Sequence, residues 1–246
     1  MVSSDVWGES TAATYDEDSA AMFAPEALAP TVDFLAELAG PGPALEFAVG
    51  TGRVAIPLAR RGIPVTGIEL SEPMVARLRE KVDEDVVPVV VGDMASTQLS
   101  GRFTLVYLVF NTLSNLRTQA EQVACFRNAA RHLVPGGRFV IELQIPPLRR
   151  LPPGQTAVPF EVSEHRLGFD TVDPATQQLV SHHYWQQPGG TVRHAVGHFR
   201  YVWPAECDLM AQLAGLTLQE RVADWTRTPF TADSTAHVSV WRSPSR

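Results

Sequence analysis

A glycine turn and three carboxylates carry the chemistry legible in this chain of 246 residues. Ala44-Leu45-Glu46-Phe47-Ala48-Val49-Gly50-Thr51-Gly52-Arg53 reads as an apolar strand running into a glycine turn and then a helix. Glycine takes positive φ and lets the backbone pass close to a ligand, and the N–H groups at a helix start favour an anionic group. Many nucleotide sites share a Gly-x-Gly after a strand, so the acids around it decide the reading. Glu46 stands inside the apolar run, where a dinucleotide-binding strand keeps an apolar residue, and an acid there can face a cationic amino group. Glu69 ends the next apolar run, where a carboxylate accepts two hydrogen bonds from ribose hydroxyls. Asp93, in Val91-Gly92-Asp93-Met94, is placed to accept from an exocyclic adenine amine. Three acids at successive strand ends fit an adenosine with an amino acid attached.

The elements that must position them follow from the pattern between Ala44 and Leu143, where short apolar runs alternate with amphipathic stretches, the signature of βαβ units and a parallel sheet. The pattern predicts strands over 44–49, 64–69, 87–91, 103–109 and 138–143, and helices over 53–61, 73–81 and 119–133. A further helix is expected over 25–38, with Leu28, Val32, Leu35 and Leu38 on one face. Leu133-Val134-Pro135-Gly136-Gly137 reads as a helix stop and a turn. Beyond Leu143 the proline-rich segment 144–159 cannot be an ordinary helix or central strand. Two long strands are expected over 176–187 and 191–203, joined at Pro188-Gly189-Gly190, then a helix over 204–214 and strands over 216–225 and 236–241.

Composition sets the outer limits. With 45% hydrophobic and 19% charged residues the chain suits one globular domain of the larger size, or a domain with a lid. A net charge of −7 argues against a groove built to neutralise phosphates, so no nucleic-acid partner is expected. Acids outnumber bases before residue 145 and balance them after it, and every His except His132 lies in that second part. Only Cys125 and Cys207 are present, which excludes a disulfide framework and a thiolate-built zinc site and points to a reducing cytoplasm. The opening residues lack a basic segment followed by an apolar one, and no run approaches the roughly 20 apolar residues of a bilayer span. Neither export nor a membrane partner is expected.

From Leu45 to Leu143 the sequence resembles the class I S-adenosylmethionine-dependent methyltransferases. Four ordered segments carry the resemblance: Leu45–Gly52, Gly67–Met74, Gly92-Asp93-Met94 and Leu133–Phe139. It implies a Rossmann-like seven-stranded α/β sheet with an antiparallel last strand, plus an antiparallel β insertion after the fifth strand. It also implies that Glu69 holds the ribose, Met74 lies over the adenine, and Asp93 and Met94 read the adenine edge. The turn from Glu46 to Gly52, including Ala48 and Gly50, surrounds the methionine part, and Leu70 and Phe110 complete the cofactor's surroundings. Two residues depart from the family pattern: Ala48 replaces a common glycine, and Thr104 stands where the fourth strand often begins with an acid.

Tyr15-Asp16 and the insertion look like the small-molecule branch of that family, which includes aminosugar N-methyltransferases of antibiotic pathways, where an N-terminal tyrosine closes over the cofactor. The function this implies is methyl transfer from S-adenosylmethionine to an O or N atom of a small molecule in secondary metabolism, leaving S-adenosylhomocysteine. The alternative is a fold that binds the cofactor as a scaffold or rearrangement enzyme. Where some aminosugar enzymes have a His, Asn115 stands here, and an amide cannot be a general base. A base is needed only for a protonated nucleophile such as an alcohol, and Tyr15, His183 and His198 are the catalytic candidates. Strand alternation pairs His183 with Trp185 and His182 with Tyr184. His194 and His198 lack a third ligand, so no metal is expected. The resulting division is a helical cap over 1–43, a cofactor-binding core over 44–144, an insertion over 145–203 serving as substrate lid or homodimer surface, and a closing segment over 204–246. His132, at a helix end, is expected as a favourable C-terminal charge or a surface residue and not as a catalyst.

Overall fold

The computed structural model describes residues 7–187 and 189–245. Three helices precede the sheet, α1 (Glu9–Asp18), α2 (Ala20–Phe23) and α3 (Pro25–Ala39). The alternating core then runs β1 (Ala44–Phe47), α4 (Ala55–Arg60), β2 (Val65–Glu69), α5 (Glu72–Arg79), β3 (Val89–Val91), β4 (Phe103–Leu108), α6 (Gln119–His132) and β5 (Leu133–Gln144). Four strands, β6 (Ala157–Val162), β7 (Arg166–Asp173), β8 (Gln178–Gln186) and β9 (Val192–Arg200), intervene before α7 (Pro204–Leu213), β10 (Thr217–Val222) and β11 (Ala236–Arg242).

The seven-stranded sheet has the order β10-β11-β5-β4-β1-β2-β3. Strands β1 to β5 pair in parallel, and β11 lies antiparallel between β5 and β10, as the resemblance implies. Both faces are covered, which is why these strands read as nearly continuous apolar runs. Leu35, Leu58 and Leu78 pack one face, while Phe126, Phe139 and Trp241 pack the other in edge-on contact. Strand order reverses at β1, with β2 on one side and β4 on the other, and an open α/β sheet binds ligands at that switch point, beyond the strand C-termini.

The insertion departs from the expected hairpin. It is a four-stranded antiparallel sheet, β6-β7-β8-β9, in which β8 and β9 are the two foreseen strands and β6 and β7 are additional. Pro159 sits in β6 because β6 is an edge strand, where a missing N–H costs no ladder bond. Pro188 of the expected turn, like the opening residues 1–6, lies outside the described residues; Gly189 and Gly190 both have positive φ. Strand β5 begins at Leu133, where a turn was expected: Leu133 pairs with Phe103, and the irregularity beyond that pair takes up Pro135-Gly136-Gly137. No helix among the described residues is long and apolar enough to cross a membrane.

Candidate active site

A cavity opens where the switch point predicts it, at the C-terminal ends of β1, β2 and β3. Ala48 and Gly50 line it from the turn after β1, Glu69 and Leu70 from the end of β2, Met74 from α5, and Asp93 and Met94 from the turn after β3. Glu69 is 7% exposed and its two carboxylate oxygens are fixed separately. Oε2 accepts from the Gly50 N–H and Oε1 from the Ser71 N–H, each at 2.8 Å. Each oxygen keeps lone-pair capacity for a hydroxyl. Burial holds the Glu69 pKa above the usual carboxylate range, against the pull of these N–H groups. A Cβ built on Gly50 would meet nothing within 4 Å, so this glycine opens the space beside the cavity.

The Asp93 end is held from behind by α6. Asp93 Oδ1 accepts from the Ala95 N–H at 2.8 Å. Asn128 Nδ2 donates to the carbonyls of Met94 and Thr97, and one turn later His132 Nε2 accepts from the Leu99 N–H at 2.9 Å. Its Nδ1 donates to the Asn128 carbonyl at 2.8 Å. His132 is therefore an interior residue, 2% exposed, and burial lowers its pKa so that the neutral ring accepts. The expectation of a C-terminal charge or a surface residue fails because the neutral, buried ring is the acceptor for the Leu99 N–H.

Two turn residues do different work from that expected. Gly52 (φ +84°) turns its missing side chain toward Ile56 and Leu78, at 2.8 and 3.1 Å from the position of a Cβ, so its smallness serves helix packing and not ligand clearance. Glu46 does not line the cavity. It accepts from the Tyr107 hydroxyl at 2.9 Å and from the Ala55 N–H, and burial pushes its pKa up to about 8. Ala48, Phe110 and Asn111 all take left-handed backbone (φ 53°, 58° and 59°), a costly geometry for residues with a Cβ. Phe110 is 44% exposed and lies outside the cavity lining, its N–H donating to Glu142 at 2.8 Å.

The N-terminal segment covers the opening. Tyr15 and Trp7 line the cavity and meet edge to face at 5.3 Å. Asp16 accepts from Thr51 Oγ1 at 2.6 Å and pairs with Lys81, the sole lysine of the chain. Arg77 donates to the Ala13 carbonyl at 2.8 Å, and Ser71 donates to that of Trp7. Burial raises the Tyr15 pKa, so its phenol keeps its proton at neutral pH.

His183 and His198 do not line the cavity. The β8–β9 register pairs His183 with Ala195 and His198 with Val180, which puts the two rings on opposite faces of the insertion sheet. His183 shares its face with Trp185 and Arg193, and Arg193 reaches Asp18 of α1 at 3.9 Å. Burial and then Arg166 lower the His183 pKa. Among the described residues no cluster could hold a metal ion. Sequence reasoning missed Trp7, Ser71 and Thr112 as lining residues, whereas Asn115, singled out as standing where some aminosugar enzymes have a His, does line the cavity. The Ser71-x-x-Met74 spacing of an N-cap was the one available signal: Ser71 Oγ accepts from the Met74 N–H at 3.3 Å.

Residues 44–137 match the methyltransferase-domain family. The chain is 30% identical over 195 residues to cypemycin N-terminal methyltransferase of a Streptomyces species, covering 77% of this chain and 78% of that protein. It is 32% identical over 98 residues, 40% of each chain, to the dTDP-3-amino-3,4,6-trideoxy-alpha-D-glucopyranose N,N-dimethyltransferase of Streptomyces venezuelae. Among solved structures, the CcbJ methyltransferase from Streptomyces caelestis superimposes with a TM-score of 0.80 at 42% identity, over 87% of this chain and 88% of that one.

Proposed function

Because this chain belongs to the S-adenosylmethionine-dependent methyltransferases, we propose that its cavity binds S-adenosylmethionine along the line Asp93, Glu69, Gly50 and that the methyl acceptor is an amine of a small molecule in an antibiotic-type pathway. When bound, the cofactor supplies a methyl group on a sulfonium, open to in-line displacement. The protein's share is to align the nucleophile and exclude water. Glu69 accepts from the ribose hydroxyls, Asp93 and Met94 meet the adenine edge, and Met74 packs on its face. Tyr15 and Trp7 close the opening.

The observation that carries the amine reading is that the lining offers no proton acceptor beyond the two carboxylates that this reading gives to the adenosine. Glu69 and Asp93 are taken up by the ribose and the adenine, Tyr15 stays protonated, and Thr112 and Asn115 are a hydroxyl and an amide. A neutral amine needs no base, whereas an alcohol does. The relatives named for N-methylation support the same choice. Residues 145–203 supply the acceptor side, with His183 orienting the acceptor from the face that reaches α1. The opposite face, which bears His198, is where a second copy of the chain would pack. Thermal-shift and calorimetric titrations test the cofactor reading: S-adenosylhomocysteine stabilises the chain and NADH does not. Stabilisation by NADH alone would overturn it.

A further inference from the structure

A second cleft opens at the same end of the sheet as the cofactor cavity, and the cofactor does not fill it. It measures about 370 Å³ and is lined by Ile145 just past β5, by Trp203 and Pro204 where α7 begins, and by the turn from Phe230 to Ser234 that leads into β11. Resting on the cofactor reading above, we propose that this cleft receives an uncharged, apolar part of the methyl acceptor, whose amine end lies at the cofactor cavity.

One hydrogen bond links the backbone that lines the two cavities. Asn111, next to Thr112 of the first, accepts through Oδ1 from the N–H of Gln144, next to Ile145 of the second, at 2.6 Å. Because β11 runs antiparallel to β5, Ala236 pairs with Gln144, and the Ile145 N–H donates to the Thr235 carbonyl at 2.8 Å. The turn before β11 is thereby carried to the C-terminal ends of the parallel strands, where the cofactor cavity also lies. Its wall is fastened on both sides: the Thr231 N–H donates to Ser234 Oγ at 2.9 Å, and Arg149 donates to the carbonyls of Ala232 and Ser234. A group that enters meets a shape already set and is spared the cost of ordering a loop.

The chemistry of the lining sets what that part is. Trp203 is 37% exposed, a large indole kept out of the core beside the cleft. Phe230 is backed by Arg221, 5.9 Å from its ring centre, and by His237, whose ring lies 6.0 Å away. Neither brings a free charge to that ring: Arg221 pairs with Asp208, and burial pushes the His237 pKa down to about 4, so the imidazole is neutral. Among the described residues no charged one lines the cleft, and Asp233, in the same turn, is exposed and outside the lining. Such walls favour apolar surface, by about fourfold in affinity for each methylene they cover. A phosphate or carboxylate brought there would lose water without finding a partner.

The test is calorimetric titration of n-alkylamines, propylamine to octylamine, and of 8-aminooctanoic acid into the chain loaded with S-adenosylhomocysteine. Affinity should rise about fourfold per methylene over the lengths that enter the cleft. The amino acid, which would carry a carboxylate into it, should bind at least about tenfold more weakly than octylamine. Trp203→Ala and Phe230→Ala should each reduce the gain per methylene and leave S-adenosylhomocysteine affinity within about threefold, the scatter of changes away from a site. Ala232→Phe, which adds a ring from an exposed turn, should reduce the gain by filling the cleft, and it carries the test if the aromatic truncations do not fold. Affinities that do not rise with chain length would overturn the assignment, as would a gain undiminished in these variants or a terminal carboxylate that costs nothing. The loading step keeps the two claims apart. If S-adenosylhomocysteine does not bind, the cofactor reading falls and this assignment falls with it; if it binds and the gain is absent, only this assignment falls.

Discussion

Glu69 shows how one residue joins fold to site. Its carboxylate ties the turn after β1 to the start of α5 through the Gly50 and Ser71 N–H groups while facing the cavity. Glu69→Ala should therefore weaken S-adenosylhomocysteine binding by roughly 1.5–3 kcal/mol, measured by calorimetry, and Glu69→Gln by less. Unchanged affinity would remove the ribose role. The two glycines of the turn, alike in sequence, should separate. Gly50→Ala puts a methyl group into open space beside the cavity on left-handed backbone (φ +56°), so besides the strain of that backbone it should cost ligand affinity, which Gly52→Ala should not. Gly52→Ala meets Ile56 and Leu78 and should cost about 1–3 kcal/mol of stability in denaturant unfolding, the usual price of overpacking. Glu46 makes the pH prediction. Its folded pKa of about 8 lies above its unfolded value near 4.5, so the folded state binds the extra proton in that window and stability falls as pH rises through it. Glu46→Gln should flatten the stability profile between about pH 5 and 8. A profile that keeps its slope would show that another group controls it.

At the scale of elements, what was legible depended on period. Strands β1, β2 and β4 and helices α3, α5 and α6 follow from apolar runs and helical spacing, with ends displaced by a few residues. Of the three acids read at the strand ends, Glu69 and Asp93 line the cavity, whereas Glu46 turns to Tyr107, a partner on β4 that no local pattern records. Strands β6 and β7 were hidden: Pro159 argues against a strand, and the polar Asp170 and Thr171 blur the alternation of β7. Their partners are set by pairing across the sheet, which no local pattern records. His132 was hidden for a similar reason, since its hydrogen-bond partner, Leu99, lies on a loop 33 residues away. The α6 clamp should show itself in two ways. His132→Ala leaves the Leu99 N–H without its acceptor and should cost about 1–3 kcal/mol of stability. The burial-lowered His132 pKa adds a term in which the unfolded chain binds the extra proton just below pH 6.5, so stability is lost as pH falls there, and His132→Ala should remove that loss.

The whole molecule is a mostly parallel sheet with a cavity at its switch point, a helical segment that covers the cavity, and an inserted sheet of which one face reaches that cover through Arg193 and Asp18. The cover is fastened where the sole lysine meets Asp16, so acylation of Lys81, followed by peptide mass spectrometry, should slow when S-adenosylhomocysteine is present; equal rates would show that the cover ignores the cavity. The acceptor was not legible at any scale, because the shape between the inserted sheet and the cavity depends on long-range packing. Its chemistry is narrower than its identity. The direct measurement is methyl transfer from labelled S-adenosylmethionine to matched acceptors, the same sugar or peptide scaffold bearing an amine or, in its place, a hydroxyl. Label on nitrogen, with none on the hydroxyl analogue, is the result predicted by a cavity whose carboxylates are both engaged by the cofactor. Transfer to the hydroxyl, or cofactor binding with no transfer to any amine offered, would contradict it.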